Sequence, residues 1–111
     1  MRYKDPREPF TRIDVAEAKE MLRREDVVVI DVREPHEFAN GHVPDANLIP
    51  VGAIFGRSDE LPRDKEIVFV CATGQRSALA AEMAAAAGLN NPLYNLEGGT
   101  VAWIEAGEPV E

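Results

Sequence analysis

The stretch from Glu66 to Gly88, "EIVFVCATGQRSALAAEMAAAAG", decides the fold. It opens on an apolar, β-branched run, Ile67 to Val70, of the kind that suits a strand covered on both faces. It continues into a helix pattern, Gln75 to Ala87, with Leu79, Met83 and Ala86 expected on one face and Gly88 as its stop. Between strand and helix lies a short turn that begins at Cys71, the chain's 1 cysteine.

Outward from this segment the same alternation repeats. Val27 to Val32, "VVVIDV", is a second continuous β-branched run. Thr11 to Ile13 reads as a short first strand. Asp14 can cap the helix that follows, with Glu17 three residues on as in a capping box, and Val15, Ala18, Met21 and Leu22 on its buried face. "EPHEF" begins with Pro35, suited to a first helical turn, and Asn40-Gly41 ends it. Ala46 to Ile49 and Leu93 to Asn95 offer two short strands. Thr100 to Ala106 forms a last helix, closed by Gly107. Residues 1–10, with Pro6, Pro9 and many charges, read as an extended N-terminal arm, and residues 11–111 as the domain.

Strands alternating with helices predict an α/β domain. The expected core is a small, mostly parallel β-sheet of about five strands with helices on both faces. In such sheets ligands bind beyond the carboxyl ends of the strands. One run delivers Asp31-Val32-Arg33 to that edge and the other delivers Cys71.

The bulk numbers narrow the function. With 111 residues the chain forms one domain large enough for a core without staples. Lys and Arg total 12 against 20 Asp and Glu, a net charge of −8, which argues against nucleic acid or an anionic membrane as partner. A single cysteine rules out an internal disulfide and any multi-cysteine zinc site. His36 and His42 have no third ligand at metal spacing, so no metal and no cofactor is expected. The opening residues, "MRYKDPREPF", hold no apolar stretch suited to a signal peptide, and no segment approaches the ~20 apolar residues of a membrane span. A cytoplasmic, reducing location is expected, where a lone thiol stays free.

The residues Cys71 to Ser77, "CATGQRS", have the chemistry of an activated thiol. Gly74 permits a tight turn that aims successive N–H groups inward as an anion nest. The helix starting near Gln75 adds the positive end of its dipole, and Arg76 adds a permanent cation. Each favours thiolate over thiol, and an unperturbed cysteine is only about 3% ionised at pH 7. The plainer reading, a buried small hydrophobe at a strand end, accounts for Cys71 alone but not for the glycine, arginine and helix start beside it. Cys71 is expected on a solvent-facing loop.

These residues resemble those of a known family. "CATGQRS" is similar to the Cys-x-x-Gly-x-Arg-Ser loop of the rhodaneses. "VVVIDVREPHEFANGHVPDANLIP", residues 27–50, resembles their upstream signature of Asp-x-Arg, Glu-Phe and Gly-His-x-Pro-x-Ala. "LEGGTVAWIEAGEPV", residues 96–110, resembles their closing Gly-Gly-x-x-x-Trp segment. The likeness spans about residues 11–110 and implies a single-domain, rhodanese-like sulfurtransferase. It implies that Cys71 accepts sulfane sulfur as a persulfide, from thiosulfate or a persulfide donor, and yields it to a thiol or cyanide. It implies that Ala72, Thr73, Gly74, Gln75, Arg76 and Ser77 surround the sulfur and the anionic donor. Asp31 and Arg33 are expected to support the loop, Arg33 by pairing with Glu37 four residues on. Trp103 is expected in the core. With no second cysteine, the sulfur must leave to an external nucleophile, which predicts ping-pong kinetics.

Two other readings compete. Protein tyrosine phosphatases and arsenate reductases also join cysteine to arginine in an anion loop, but with five residues between them, where Cys71 and Arg76 are separated by one fewer. The shorter loop suits a terminal sulfur better than a phosphoryl group. The other reading is a non-catalytic regulatory or binding module, against which stands the retained cysteine, or a sulfur carrier with a dedicated protein partner, which the cysteine leaves open.

Overall fold

The structure is a computed structural model that describes residues 1–111. A six-stranded sheet runs through its centre in the order β1-β2-β6-β5-β3-β4. The strands are β1 (Arg2–Tyr3), β2 (Thr11–Ile13), β3 (Val27–Asp31), β4 (Asn47–Leu48), β5 (Glu66–Val70) and β6 (Leu93–Leu96). All neighbours pair in parallel except β1, which is antiparallel to β2. The helices are α1 (Val15–Met21), α2 (Pro35–Ala39), α3 (Gln75–Ala86) and α4 (Gly99–Glu105), with two 3-10 turns at Val51–Ala53 and Ser58–Glu60. None is long and apolar enough to cross a membrane.

The two apolar runs are the two central strands, and their side chains alternate between two cores. Ile67 and Phe69 of β5 join Ile30 of β3 and Leu93 of β6 under α3. Val68 and Val70 join Val29, Tyr94 and Leu96 under α1 and α4, where Trp103 is buried as expected. Both faces of the sheet are covered, so nearly continuous apolar runs are needed on β3 and β5. The period of two also decides the fate of the residues just beyond the strands. Cys71 keeps the parity of Ile67 and Phe69 and falls under α3. Asn95, opposite Phe69 in the register, falls beside them.

The helix starts follow their caps. The Asp14 carboxylate accepts the Glu17 N–H at 3.0 Å, the forward half of the expected capping box. The reciprocal half is missing because Arg2 takes the Glu17 carboxylate at 2.7 Å. Pro35 opens α2, and Gly41, at φ +130°, follows its end.

Two expectations are corrected. The first ten residues do not stand off as an arm: Arg2–Tyr3 add the sixth strand, and the Phe10 side chain is buried in the α3 core. The turn-rich, proline-punctuated sequence conceals a strand of two residues because it is too short to show a period. In α3 the buried face is Ser77, Ala80, Ala81 and Ala84, while Leu79 and Ala86 are exposed and Met83 half-buried. The apolar bulk of Leu79 and Met83 suggested the wrong stripe. The small residues at i, i+3, i+4 and i+7 let the helix lie close on the sheet, where a longer side chain would cost about 1–3 kcal/mol of overpacking.

Candidate functional site

The site forms where β5 ends and α3 begins. Cys71 leaves the strand with its side chain under the first turn of α3, and the residue is 1% exposed. The expected solvent-facing position is therefore replaced by a sheltered one. Parity explains this: the thiol continues the buried α3 face of the strand.

The loop then folds back over the sulfur. Gly74, at φ +113°, occupies the left-handed region, which a side chain would oppose. Its N–H donates to Cys71 Sγ at 3.1 Å. The Ser77 hydroxyl, fully buried, lies 3.3 Å from Sγ and also bonds Asn95 Oδ1. Burial pushes the Cys71 thiol up. The Ser77 hydroxyl and the backbone N–H groups of Ser77, Gly74 and Thr73 outweigh burial and bring it below the ordinary thiol range. The backbone part of this set is a nest of the kind expected from "CATGQRS"; the Ser77 hydroxyl, the first of the lowering causes, was not part of that expectation.

Arg76 behaves differently from a free cation. Its Nη1 and Nη2 donate to Glu37 Oε1 and Oε2 at 2.8 and 2.9 Å, a bidentate bridge from α3 to α2. Arg76 first, then the Glu34 N–H, holds the Glu37 carboxyl at about 2. Glu37 and, to a smaller degree, the Cys71 thiolate raise the Arg76 guanidinium above its ordinary value. Arg76 thus stands between a carboxylate and the thiol. The expected Arg33–Glu37 pair does not form.

Arg33 instead turns back on Asp31. Its Nε and Nη2 contact both Asp31 oxygens at 2.9–3.1 Å, and Nη2 also reaches the Gly41 carbonyl at 2.9 Å. Asp31 Oδ1 accepts the Arg33 N–H at 3.0 Å. Both side chains are buried, and they tie the end of β3 to the exit of α2, which carries Glu37. Asp31 and Arg33 therefore stand behind Glu37 rather than against the thiol. The remaining expected residues, Ala72, Thr73 and Gln75, lie in the loop and first helical turn, with the Thr73 hydroxyl bonded to the Gln75 side chain. His42 stacks on Phe38 and bonds its carbonyl through Nδ1.

Three contributors escaped the sequence reading. Asn95 holds the loop through Nδ2, which donates to the Gly74 carbonyl at 3.2 Å. A polar residue within the buried run "LYNL" was the available signal, because such a residue needs a partner inside. Thr100 bonds the Cys71 carbonyl through its N–H at 2.8 Å and its hydroxyl at 3.1 Å. The Val101 N–H bonds the Ala72 carbonyl at 3.1 Å. Gly99 permits this docking, since a Cβ there would sit 2.4 Å from the Cys71 oxygen. The paired glycines at the start of α4, Gly98 and Gly99, carried that signal.

The two surface grooves, of about 460 and 400 Å³, are lined by no residue of 71–77.

Comparison with known proteins agrees with this geometry. The family model described as "Rhodanese-like domain" matches residues 14–106. A "Sulfurtransferase" of Allochromatium vinosum is 40% identical over 86 residues, covering 78% of this chain and 79% of that protein. The "Thiosulfate sulfurtransferase GlpE" of Pseudoalteromonas translucida is 34% identical over 97 residues, covering 87% and 91%. The crystal structure of a rhodanese-related protein from Thermoplasma volcanium superposes with a TM-score of 0.78 at 37% identity, over 89% of this chain and 95% of that one. The match over nearly the whole domain, together with a cysteine loop folded between a central parallel strand and a helix, shows that this chain belongs to the rhodanese-like domain family.

Proposed function

We propose that the chain is a sulfurtransferase that carries sulfane sulfur on Cys71. The observation that carries this reading is the set of donors on Cys71 Sγ: the Gly74 N–H at 3.1 Å and the Ser77 hydroxyl at 3.3 Å, at a helix start. They stabilise an anionic sulfur, which is the attacking form. They do so without a histidine base. The support from relatives is that two of those named above, from Allochromatium vinosum and Pseudoalteromonas translucida, are sulfurtransferases by name.

The reaction runs in two halves. The Cys71 thiolate attacks the outer sulfur of thiosulfate or of an organic persulfide. The new S–S bond forms as the donor's S–S bond breaks, and sulfite or a thiolate departs with the electron pair. The terminal sulfur of the persulfide then rests among the N–H groups of residues 72–77. An acceptor thiolate or cyanide attacks that sulfur, the Cys71 thiolate leaves, and the loop donors that favoured it at the start stabilise it again. One covalent intermediate gives ping-pong kinetics. Arg76 braces the loop and adds its charge beside the sulfur, and the buried Asp31–Arg33 pair holds α2 and thereby Glu37 in place.

The test is intact mass after incubation with thiosulfate and, separately, with a low-molecular-weight hydropersulfide, beside a Cys71→Ser control. A gain of one sulfur that is removed by cyanide or a thiol, and is absent in the control, is expected. No gain from either donor in a folded protein would overturn the reading and favour a binding module or phosphate-ester chemistry.

A further inference from the structure

We propose that Asn95 and Glu97 are positioning residues that set, through the Ser77 hydroxyl, how strongly the loop stabilises the Cys71 thiolate. The inference rests on the sulfurtransferase reading and assigns the groups that balance this thiolate as attacker and as leaving group.

A line of hydrogen bonds runs from the sulfur to the surface. The parallel register sets Asn95 of β6 opposite Arg12 of β2. Asn95 Nδ2 donates to a Glu97 carboxylate oxygen as well as to the Gly74 carbonyl. Both partners only accept, so the amide has one orientation: its nitrogen faces them and its Oδ1 faces Ser77. The Ser77 hydroxyl bonds that Oδ1 and lies 3.3 Å from Cys71 Sγ. At the outer end, Arg12 Nη1 contacts both Glu97 oxygens at 2.9 and 3.1 Å, and Arg12 Nε holds Glu8 at 2.9 Å. Ser77 and Asn95 are fully buried, whereas Glu97 and Arg12 are half-buried. A buried amide therefore links a carboxylate that solvent reaches to a thiol that is sheltered from it.

The direction of the effect follows from the amide. A carboxylate on Nδ2 polarises the amide and makes Oδ1 a stronger acceptor. A stronger Oδ1 holds the single Ser77 proton away from Sγ. Amide and thiolate compete for that proton, and Glu97 supports the amide. The competition serves both halves of the reaction. When the Cys71 thiolate takes the outer sulfur of thiosulfate, the new S–S bond forms, the donor S–S bond breaks and sulfite departs with its electron pair. The negative charge then sits on the terminal sulfur among the backbone N–H groups, and the Ser77 proton returns to Oδ1. When cyanide takes that sulfur as thiocyanate, the electron pair of the Cys71 S–S bond returns to Sγ, and the Ser77 proton follows it. A thiolate stabilised too strongly attacks slowly, and one stabilised too weakly leaves slowly. The amide keeps Cys71 between these limits. The other charges that face the thiol are Arg76 on α3 and its partner Glu37 on α2. Neither belongs to the relay.

The test measures the pH midpoint of Cys71 alkylation by iodoacetamide in the wild type, Glu97→Gln, Ser77→Ala and the double variant. Glu97→Gln removes the charge and keeps an acceptor for Asn95 Nδ2. Its midpoint is expected to fall by about half a pH unit, roughly threefold in the ionisation constant. In the Ser77→Ala background the same change is expected to have no effect, because the relay is cut. Discharge of the loaded persulfide by cyanide is expected to quicken about 1.5-fold in Glu97→Gln, and loading from thiosulfate above the midpoint to slow by a similar factor. An equal shift in both backgrounds would mean that Glu97 acts on the thiolate through space, and would overturn the proposal. An unchanged or raised midpoint in Glu97→Gln would make Asn95 and Glu97 braces of the Gly74 turn, and would overturn it too. Alkylation needs no sulfur donor, so these outcomes decide the relay by themselves. Failure of the wild type to load from thiosulfate or a hydropersulfide would instead remove the sulfurtransferase reading.

Discussion

The Ser77 hydroxyl sits 3.3 Å from Cys71 Sγ while also bonded to Asn95 Oδ1. A hydroxyl has one proton to donate. With Asn95 Nδ2 engaged by the Gly74 carbonyl, Oδ1 is the acceptor, and it competes with the sulfur for that proton. A thiolate is the stronger competitor, so ionisation of Cys71 draws the hydroxyl toward itself. Ser77→Ala removes this donor and leaves the backbone N–H groups. The expected result is an alkylation rate of Cys71 by iodoacetamide at neutral pH about tenfold lower, the effect of losing one hydrogen bond to a charged group.

The pH dependence follows from the same donors. Because the folded protein holds Cys71 below the ordinary thiol range, alkylation is expected to titrate at lower pH than in the urea-unfolded chain. Between the two midpoints the unfolded chain binds more protons, so folding stability rises with pH there and the gain is complete above the unfolded midpoint. Cys71→Ser should lose this rise while keeping the fold, since the change is small. Parallel urea titrations of the two proteins across that interval provide the check.

Gly99→Ala is expected to damage the site from a distance. The new Cβ would lie 2.4 Å from the Cys71 oxygen and 2.5 Å from the Ala72 oxygen, at a backbone φ of +59°. Those are backbone atoms with nowhere to swing, so the loop or α4 must shift. A cost of about 3 kcal/mol is expected from the left-handed conformation and the clash together. Thermal melting reads the stability, and loss of persulfide formation in the folded fraction reads the displaced loop.

Asp31→Ala leaves the Arg33 guanidinium buried without its carboxylate. Breaking one side of a buried pair costs about 3–5 kcal/mol. Urea denaturation should show that loss. Because the pair stands behind Glu37, sulfur transfer per folded molecule should fall less than in Ser77→Ala.

Arg76→Ala removes the group that holds Glu37 at about 2, against its ordinary 4.5. A carboxyl with a depressed pKa stabilises the fold fully above its unfolded value, and the contribution is lost as pH falls through the folded one. The stability difference between wild type and Arg76→Ala should therefore be constant from neutral pH down to about 5 and vanish toward about 2. Thiosulfate use should suffer more than use of a neutral persulfide, since Glu37 would be left unpaired beside the thiolate.

Much of the molecule is legible in the sequence because periodicity is a local property. The runs at Val27–Val32 and Ile67–Val70 have to be strands covered on both faces, and they are the two central ones. The turn at Cys71–Gly74 has to lead into a helix, and the helix begins at Gln75. The choice of the buried stripe on α3 is less local. Leu79 is the larger hydrophobe, yet it is 50% exposed, because the alanines opposite let the helix sit close to β5 and β6.

Sequence by itself determined the α/β alternation, the place of the lone cysteine at a strand–helix turn, and the glycines that such turns require. Tertiary structure decided who pairs with whom. Arg33 and Glu37 have the spacing of a helical pair, yet Asp31 takes Arg33 and Arg76 takes Glu37. Asn95 reaches the loop from a strand far along the chain, and Gly99 admits the Cys71 carbonyl. Spacing along a chain fixes which side chains share a face, whereas ion-pair and hydrogen-bond partners depend on how closely separate elements approach after packing, which no local pattern encodes.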